Sequence, residues 1–166
     1  VADVFTVSGS GIVRVSEGPF GEADGPSGEP AIATATQAVV FSSDASNLIA
    51  DDDNGVTDVF IDVPGDDVQR LSSSGAFGFT LPSTAPAISA NGERVAFLTD
   101  GANIDHPALT TAVIADRIEG RVDALATAAL SDTAVSANGV ALSADGAIAS
   151  FSSITSLDAN DSNTLL

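Results

Sequence analysis

Five residue types are missing from this sequence: cysteine, methionine, tryptophan, tyrosine and lysine. Without cysteine, the chain forms no disulfide and has no thiol for catalysis or metal binding. Without lysine, it cannot carry a Walker-type phosphate loop. Eight phenylalanines must therefore supply the aromatic part of the core. No run of about 18 apolar residues occurs, so the sequence predicts no membrane span.

Positive charge is also scarce. Five arginines stand against 23 acidic residues, which gives a formal net charge of −18. So few cations cannot offset that charge near a phosphate backbone, which argues against nucleic acid as a partner. Of the acids, 18 are aspartate and only 5 are glutamate. Aspartate favours caps and turns over helix surfaces, so the composition indicates strands joined by turns.

The remaining composition fits one folded domain. The chain has 166 residues, of which 44% are hydrophobic, and that content argues against disorder despite the charge. The acidity then favours one of three things: divalent cations in Asp-rich loops, a surface suited to high salt, or a solvated surface that keeps a β protein soluble.

A repeat of about 55 residues organises the sequence. The segment 37–43 (QAVVFSS) returns at 93–99 (ERVAFLT) and at 147–153 (AIASFSS), so Phe41, Phe97 and Phe151 are spaced by 56 and 54 residues. The turn sequence SANG at 89–92 returns as SADG at 143–146. A second group of anchors, TDVFID at 57–62, matches ADVFT at 2–6 and, more loosely, TAVIAD at 111–116. Agreement among separate anchors indicates true repeat units.

Each unit contains four short apolar pieces with the alternation of strands. In the segment 94–99, for example, Val95 and Phe97 share one face. The Asn91–Gly92 dipeptide predicts a type I′ hairpin turn between the first two pieces. Four antiparallel strands per unit predict an all-β fold, a β-propeller built from four-stranded blades. The Ala-rich segment 123–130 has a helical turn as its alternative.

The unit resembles the bacterial TolB-like or WD-like propeller repeats. The resemblance rests on PAISANG at 86–92, VAF at 95–97, DDNG at 52–55, DVF at 58–60 and RLS at 70–72. It covers nearly the whole chain. Such propellers serve many roles, so the resemblance implies a fold and an extracytoplasmic setting (periplasmic, secreted or cell-surface) without naming an activity.

The order of the pieces predicts an outer half-blade, two whole blades and an inner half-blade. The units are 1–29 (outer half-blade and connector), 30–85, 86–139 and 140–166 (inner half-blade). Joining the two halves would close only three blades, fewer than the four to eight of known propellers. The chain is therefore expected to be either a piece of a longer propeller or half of one that a second copy completes. In both cases we expect the open edges to meet another polypeptide, either a second copy of the chain or other parts of a larger assembly.

One loop has the composition of a metal site. Asp52, Asn54 and Asp58 align with oxygen-ligand positions of a calcium loop, with Gly55 at the position of the sharp turn. The pattern is incomplete because its first position is an alanine and its last is Ile61. As an alternative, the loop is a plain Asp/Asn/Gly turn that needs no ion. The segment 158–161 is a weaker echo.

The sequence contains no recognisable set of catalytic residues. The sole histidine, His106, stands beside a proline in a degenerate loop and is expected at the surface. The segments GSG at 9–11 and GPSG at 25–28 lack the GxSxG pattern of a nucleophile elbow and are expected to be turns. No pair of carboxylates is singled out as acid and base.

The sequence thus predicts a non-enzymatic scaffold or protein-interaction module, with no cofactor other than the calcium considered above. Two alternatives stay open. The chain could be the propeller domain of a peptidase-like hydrolase whose catalytic domain lies elsewhere, since similar blades precede such domains. It could also be a calcium-dependent adhesion or surface module.

Overall fold

A computed structural model describes residues 1–72, 81–100, 110–125 and 137–153. Within those ranges every regular element is a strand, as predicted, and no helix is long and apolar enough to cross a membrane. The strands are β1 (Phe5–Ser8), β2 (Gly11–Arg14), β3 (Glu17–Gly18), β4 (Gly21–Glu22), β5 (Ser27–Ile32), β6 (Val39–Ser43), β7 (Asp58–Asp62), β8 (Gln69–Arg70), β9 (Ser83–Ile88), β10 (Arg94–Asp100), β11 (Thr110–Asp116), β12 (Arg121–Ala124), β13 (Ala137–Leu142) and β14 (Ala149–Ser153).

These strands form part of a β-propeller. β5 to β8 make one four-stranded antiparallel sheet, the first blade, and β9 to β12 make the second blade. β1–β2 and β13–β14 form separate two-stranded sheets, the outer and inner half-blades. The innermost strands β5, β9 and β13 lie beside one another. These three strands each begin three residues before the start of a repeat unit as predicted from the sequence, at residues 30, 86 and 140.

The core lies between blades because the central strands are apolar on both faces. In β6, Val39 and Phe41 pack toward the outer half-blade, while Val40 packs toward the second blade. Phe97 of β10 and Val59 of β7 meet in that same layer between the two blades. Burying one such side chain stabilises the fold by about 1.5–3 kcal/mol, so blade-to-blade stacking supplies much of the driving force for folding.

The repeated phenylalanines occupy equivalent places. Phe41 and Phe97 are fully buried on the face of their blade that meets the preceding sheet. Phe151 faces the preceding sheet too, against Leu98 and Ala112, but it is only partly buried. The three repeated phenylalanines thus lie at equivalent positions, and Phe151 is the one that is less than fully buried. The reason is that Phe151 lies in a two-stranded sheet whose outer edge carries no strand among the described residues.

The turn at Asn91–Gly92 differs from the prediction. A type I′ turn needs positive φ at both central residues, and only Gly92 has it, at 75°. The loop is longer, because the Ser89 N–H donates to the Arg94 carbonyl at 2.9 Å. The Ser89 and Asn91 side chains accept hydrogen bonds from the N–H groups of Arg94 and Glu93. These polar side chains stabilise a wider turn than the dipeptide alone indicates.

The second blade also corrects one sequence match. Phe41 pairs with Phe60 in the first blade, and Phe97 pairs with Val113 in the second. Val113 is therefore the counterpart of Phe60, and Thr111 is the counterpart of Asp58, one residue away from the looser match at 111–116. The sequence match was one residue out of register because an alanine-rich strand has few side chains that distinguish one register from the next.

Backbone hydrogen bonds link the turns of successive blades. The Ala35 N–H donates to the Ala90 carbonyl at 2.9 Å, and the Ala90 N–H donates to the Ala144 carbonyl at 2.8 Å. Ala90 and Ala144 are equivalent positions of the repeat, and Ala35 lies one residue beyond the position equivalent to Ala90. Turns that the sequence identified as markers of the unit thus also join one unit to the next.

The innermost strands share an irregularity. Glu29 and Ala85 both have a φ of 52° at a bulge in β5 and β9, and the equivalent residue of β13 is Gly139, at 81°. Left-handed backbone is uncommon outside glycine and asparagine. The Glu29 carboxylate accepts hydrogen bonds from the Ser42 hydroxyl at 2.6 Å and from the Ala85 N–H at 2.8 Å. This side chain therefore joins the two strained bulges across the blade boundary.

Candidate functional site

The Asp-rich loop 44–57 joins β6 to β7 at one rim of the propeller segment. We call this rim the loop face, and the rim that carries the hairpin turns 9–10, 33–38, 63–68, 89–93, 117–120 and 143–148 the turn face. At the base of the loop, the Thr57 hydroxyl donates to an Asp44 carboxylate oxygen. The unpredicted hairpin β3–β4 packs beside the loop, where the Asn47 side chain donates to the Glu22 carbonyl at 2.8 Å.

Close packing of backbones explains one of the glycine segments. A Cβ atom at Gly25 would lie 2.5 Å from the Asp44 carbonyl carbon, so only glycine fits. Two residues further on, Ser27 starts β5, and its hydroxyl lies 2.8 Å from the Ser43 hydroxyl in a buried pair. The prediction of a turn over the GPSG segment holds only for its first half, because Ser27 and Gly28 belong to β5. Ser10 of the other segment lies in the turn between β1 and β2.

The three predicted ligands converge, and an arginine holds them together. The Arg70 guanidinium donates to Asp52 Oδ1 at 2.7 Å, and its Nη1 lies 3.4 Å from Asp58 Oδ2. Asn54 donates to the same Asp58 oxygen at 2.8 Å. The Ser72 hydroxyl donates to the other oxygen of Asp58, which is fully buried. We call these five residues the Asp58 cluster.

The aspartate, arginine and serine of this cluster have counterparts in the outer half-blade. Ser16 Oγ donates to Asp3 Oδ1 at 2.8 Å and accepts from the Val4 N–H at 3.1 Å. Arg14 Nε lies 3.9 Å from Asp3 Oδ2. In the first blade the Val59 N–H likewise donates to Ser72 Oγ at 3.1 Å. In both sheets the Asp/Arg/Ser arrangement fastens a third strand to a fourth.

The second blade has lost the arrangement as a whole. Thr111 stands in the place of Asp58, and the residues equivalent to Arg70 and Ser72 are Ala124 and Ala126, of which Ala126 lies outside the described residues. A buried polar network is stable when every member is satisfied and costly when one member is missing. Replacing all three side chains together therefore costs less stability than replacing one of them and leaving the others buried.

Sequence reasoning found Asp52, Asn54 and Asp58 and missed the role of Arg70 and Ser72. The sequence did contain a signal for this role, because the pattern Arg-x-Ser follows Asp-Val-Phe both in the outer half-blade and in the first blade. Within the described ranges, no group of three or more His, Cys, Asp or Glu side chains is placed to hold a metal ion. Calcium binding at the loop stays a prediction. His106 and the echo at 158–161 lie outside the residues that the structure describes.

Burial and the neighbouring Asp58 charge raise the pKa of Asp52, and Arg70 offsets part of this effect. A folded-state pKa above the ordinary 3.8 means that ionised Asp52 costs stability at neutral pH, and that this cost disappears as the pH falls below about 3.8. We therefore expect Asp52→Asn, which keeps an acceptor for Arg70, to raise the free energy of unfolding at pH 7 by about 0.5 kcal/mol. Urea denaturation at pH 7 and pH 3.5 measures it.

The matched control for that prediction is Asp53→Asn, one residue along the same loop, where the side chain is exposed. Its free energy of unfolding should equal that of the parent chain at both pH values. If Asp52→Asn instead destabilises the protein at pH 7 by more than about 1 kcal/mol, attraction to Arg70 outweighs burial and the prediction is wrong.

The rest of the loop face is acidic. Its two described arginines, Arg14 and Arg70, are both engaged with carboxylates. The Ser46 N–H and hydroxyl donate to Asp24 and lower its pKa, so Asp24 stays charged well into the acid range. By contrast, the turn face carries three arginines, Arg94, Arg117 and Arg121, among its carboxylates. Six carboxylates are exposed on the loop face: Glu17, Glu22, Asp24, Asp44, Asp51 and Asp53.

Comparison with known proteins supports the fold alone. No family model and no curated protein matches this sequence. Among solved structures, the chain is similar to the crystal structure of TolB from Acinetobacter baumannii, with 16% sequence identity and a TM-score of 0.52. The match covers 89% of this chain and 31% of the TolB chain, so the sequence spans about a third of that protein's length.

Proposed function

We propose that this chain is a non-enzymatic propeller segment that acts as a scaffold and binds a positively charged protein segment through its loop face. The observation that carries the proposal is the charge of that face, which has six exposed carboxylates and two described arginines, both of them already engaged in ion pairs. Charge of one sign on a rigid surface attracts a partner of opposite sign and orients it.

The described side chains support a binding role over catalysis. The buried carboxylates of the loop face, Asp58 foremost, are occupied by arginine, serine and asparagine donors within the fold. A general base or nucleophile needs a reactive group directed at a substrate, whereas these groups are directed at each other. The compartment in this proposal is extracytoplasmic, and it follows from the resemblance to TolB-like repeats.

Binding of a labelled decalysine peptide, followed by fluorescence anisotropy at low salt, tests the proposal. The triple variant Glu17→Gln, Asp51→Asn, Asp53→Asn removes three exposed loop-face charges. With each rim charge contributing about 0.5 kcal/mol, the dissociation constant should rise about tenfold. The affinity of the parent chain for the peptide should also fall steeply as salt is added, because exposed charges are screened.

The control carries the same change in net charge on the turn face: Asp66→Asn, Asp67→Asn, Glu119→Gln. It should change the dissociation constant by less than about twofold. Equal losses in the two triple variants would assign binding to net charge alone and contradict a loop-face site. Failure of the parent chain to bind the peptide would contradict the proposal outright.

A calcium-dependent module is the second candidate, because Asp52, Asn54 and Asp58 do converge. To bind calcium there, the ion must displace the Arg70 guanidinium, which lies between the two carboxylates. If it does so, millimolar calcium should raise the melting temperature through mass action, and EDTA should reverse the rise. An unchanged melting temperature in the parent chain and in Asp52→Asn would leave the arginine-centred cluster as the only role of the loop.

A further inference from the structure

A cleft opens on the turn face where the first blade meets the second. Three buried apolar side chains form its floor: Leu71, which follows β8, Ala115 of β11 and Val122 of β12. All three belong to the apolar layer between the two blades. Gln69 and Arg117 lie at the rim of the cleft. Both enclosing sheets have all four strands among the described residues, so the cleft is a feature of two whole blades.

Arg117 differs from the other arginines in having no acidic partner. Among the described residues it forms no ion pair, whereas the other four arginines each pair with at least one carboxylate. Its Nη1 donates to the Gly92 carbonyl at 2.8 Å, and its backbone N–H donates to the Glu93 carbonyl at 2.9 Å. A guanidinium has five N–H donors, so this one is anchored at the rim and retains donors for a ligand.

The adjacent acid in the sequence is already engaged. Asp116 also lines the cleft, but its Oδ1 accepts hydrogen bonds from two backbone N–H groups of the turn 117–120, at 3.0 and 3.1 Å. Its Oδ2 lies 3.4 Å from Arg94 Nε. Asp116 therefore closes the turn and pairs with a different arginine, which leaves Arg117 for a carboxylate from outside the chain.

The cleft has room for about one amino-acid residue. Its volume is about 170 Å³. That is close to the roughly 150 Å³ of a cavity that holds benzene, and below the roughly 300 Å³ at which pockets for drug-sized ligands begin. Arg121 lines the same rim, and its ion pairs with Glu119 and Asp123 are exposed ones that a ligand displaces at little cost. The shape and chemistry thus suit an apolar side chain that carries a carboxylate.

We propose that this cleft binds the C-terminal residue of a protein partner. The carboxylate of that residue pairs with Arg117, its aliphatic side chain lies on the apolar floor, and its N–H donates to the Gln69 side chain. A C-terminus suits the cleft better than a free small acid does, because a shallow surface site needs the further contacts of a chain to hold its ligand. The site lies on the turn face and does not depend on the function proposed for the loop face.

A fluorescently labelled peptide, Gly-Ser-Gly-Ser-Leu with a free C-terminus, tests the proposal by fluorescence anisotropy. Converting its carboxylate to an amide should raise the dissociation constant at least about tenfold, because the amide cannot form the ion pair. Arg117→Gln, which removes the charge and keeps a donor for the Gly92 carbonyl, should have an equal effect. The matched control Arg14→Gln makes the same change in net charge on the loop face, and it should alter the dissociation constant by less than about twofold.

Chemical-shift mapping by NMR supplies a readout that needs no variant. Adding the free-acid peptide to the isotope-labelled parent chain should shift the backbone amide signals of Leu71, Arg117 and Val122. The amides of the loop 44–57, on the opposite rim, should keep their positions.

Three outcomes would overturn the inference. One is equal affinity for the free-acid and amidated peptides, and another is a set of shifted amides that lies away from the cleft. The third is binding of isocaproate, which has the leucine side chain and carboxylate without the peptide N–H, as tight as that of the peptide. That result would assign the cleft to a free small acid.

Discussion

Phe97→Ala is expected to lower the free energy of unfolding by about 3–5 kcal/mol, the loss usual when a buried phenylalanine leaves a cavity. Phe97 is fully buried in the layer where the first blade meets the second. Its neighbours there, Val40, Val59 and Ile61, come from strands of the other blade, which cannot move inward without breaking their own pairing. Urea denaturation followed by circular dichroism measures the loss.

Phe20→Ala provides the matched control, because that ring is 61% exposed. Its free energy of unfolding should stay within about 0.5 kcal/mol of the parent value. A loss below about 1.5 kcal/mol for Phe97→Ala would mean that the contact between the two blades is looser than the structure describes.

Arg70→Ala is expected to cost about 3–5 kcal/mol, since it leaves the buried carboxylates of Asp52 and Asp58 without their cation. The matched surface change is Arg121→Ala. That guanidinium is 58% exposed between Glu119 and Asp123, and its removal should cost no more than about 1 kcal/mol. Equal losses for the two variants would contradict a buried ion cluster.

The second blade suggests how the lost stability is recovered. The triple variant Asp58→Thr, Arg70→Ala, Ser72→Ala installs the side chains found at the equivalent positions of that blade. It removes the fully buried Asp58 charge together with Arg70 and Ser72 and leaves only the Asp52 carboxylate without its cation, whereas Arg70→Ala leaves two. The triple variant should therefore be more stable than Arg70→Ala alone despite carrying two further changes. A triple variant as unstable as the sum of its parts would show that the three residues act independently.

The fold could be predicted because its signals are local and repeated. The apolar alternation around Phe41 and Phe97 identified β6 and β10 to within two residues, and recurrence set the blade order. The Asn91–Gly92 turn was misjudged because side chains outside the dipeptide, Ser89 above all, bond the turn backbone. A turn prediction based on two residues takes no account of hydrogen bonds from side chains outside them.

The candidate site could be predicted only in part. Asp52, Asn54 and Asp58 are near neighbours in sequence, so composition brought them together. Their cation, Arg70, lies 12 residues beyond Asp58 and reaches the cluster only because β7 and β8 pair. The sequence therefore predicted the carboxylates of this site, and the structure adds the arginine that forms ion pairs with them.

The hydrogen bonds from Ala35 to Ala90 and from Ala90 to Ala144 bear on how this segment comes apart. Ala90 donates to one neighbour and accepts from the other, so releasing any blade leaves a stranded amide or carbonyl on the next. Stability in such an array is approximately the sum of one term for each unit and one for each contact between neighbouring units. In native-state hydrogen exchange, the amides at 35 and 90 should therefore report the opening of a junction between units, while amides within β6 and β10 report the loss of a whole sheet.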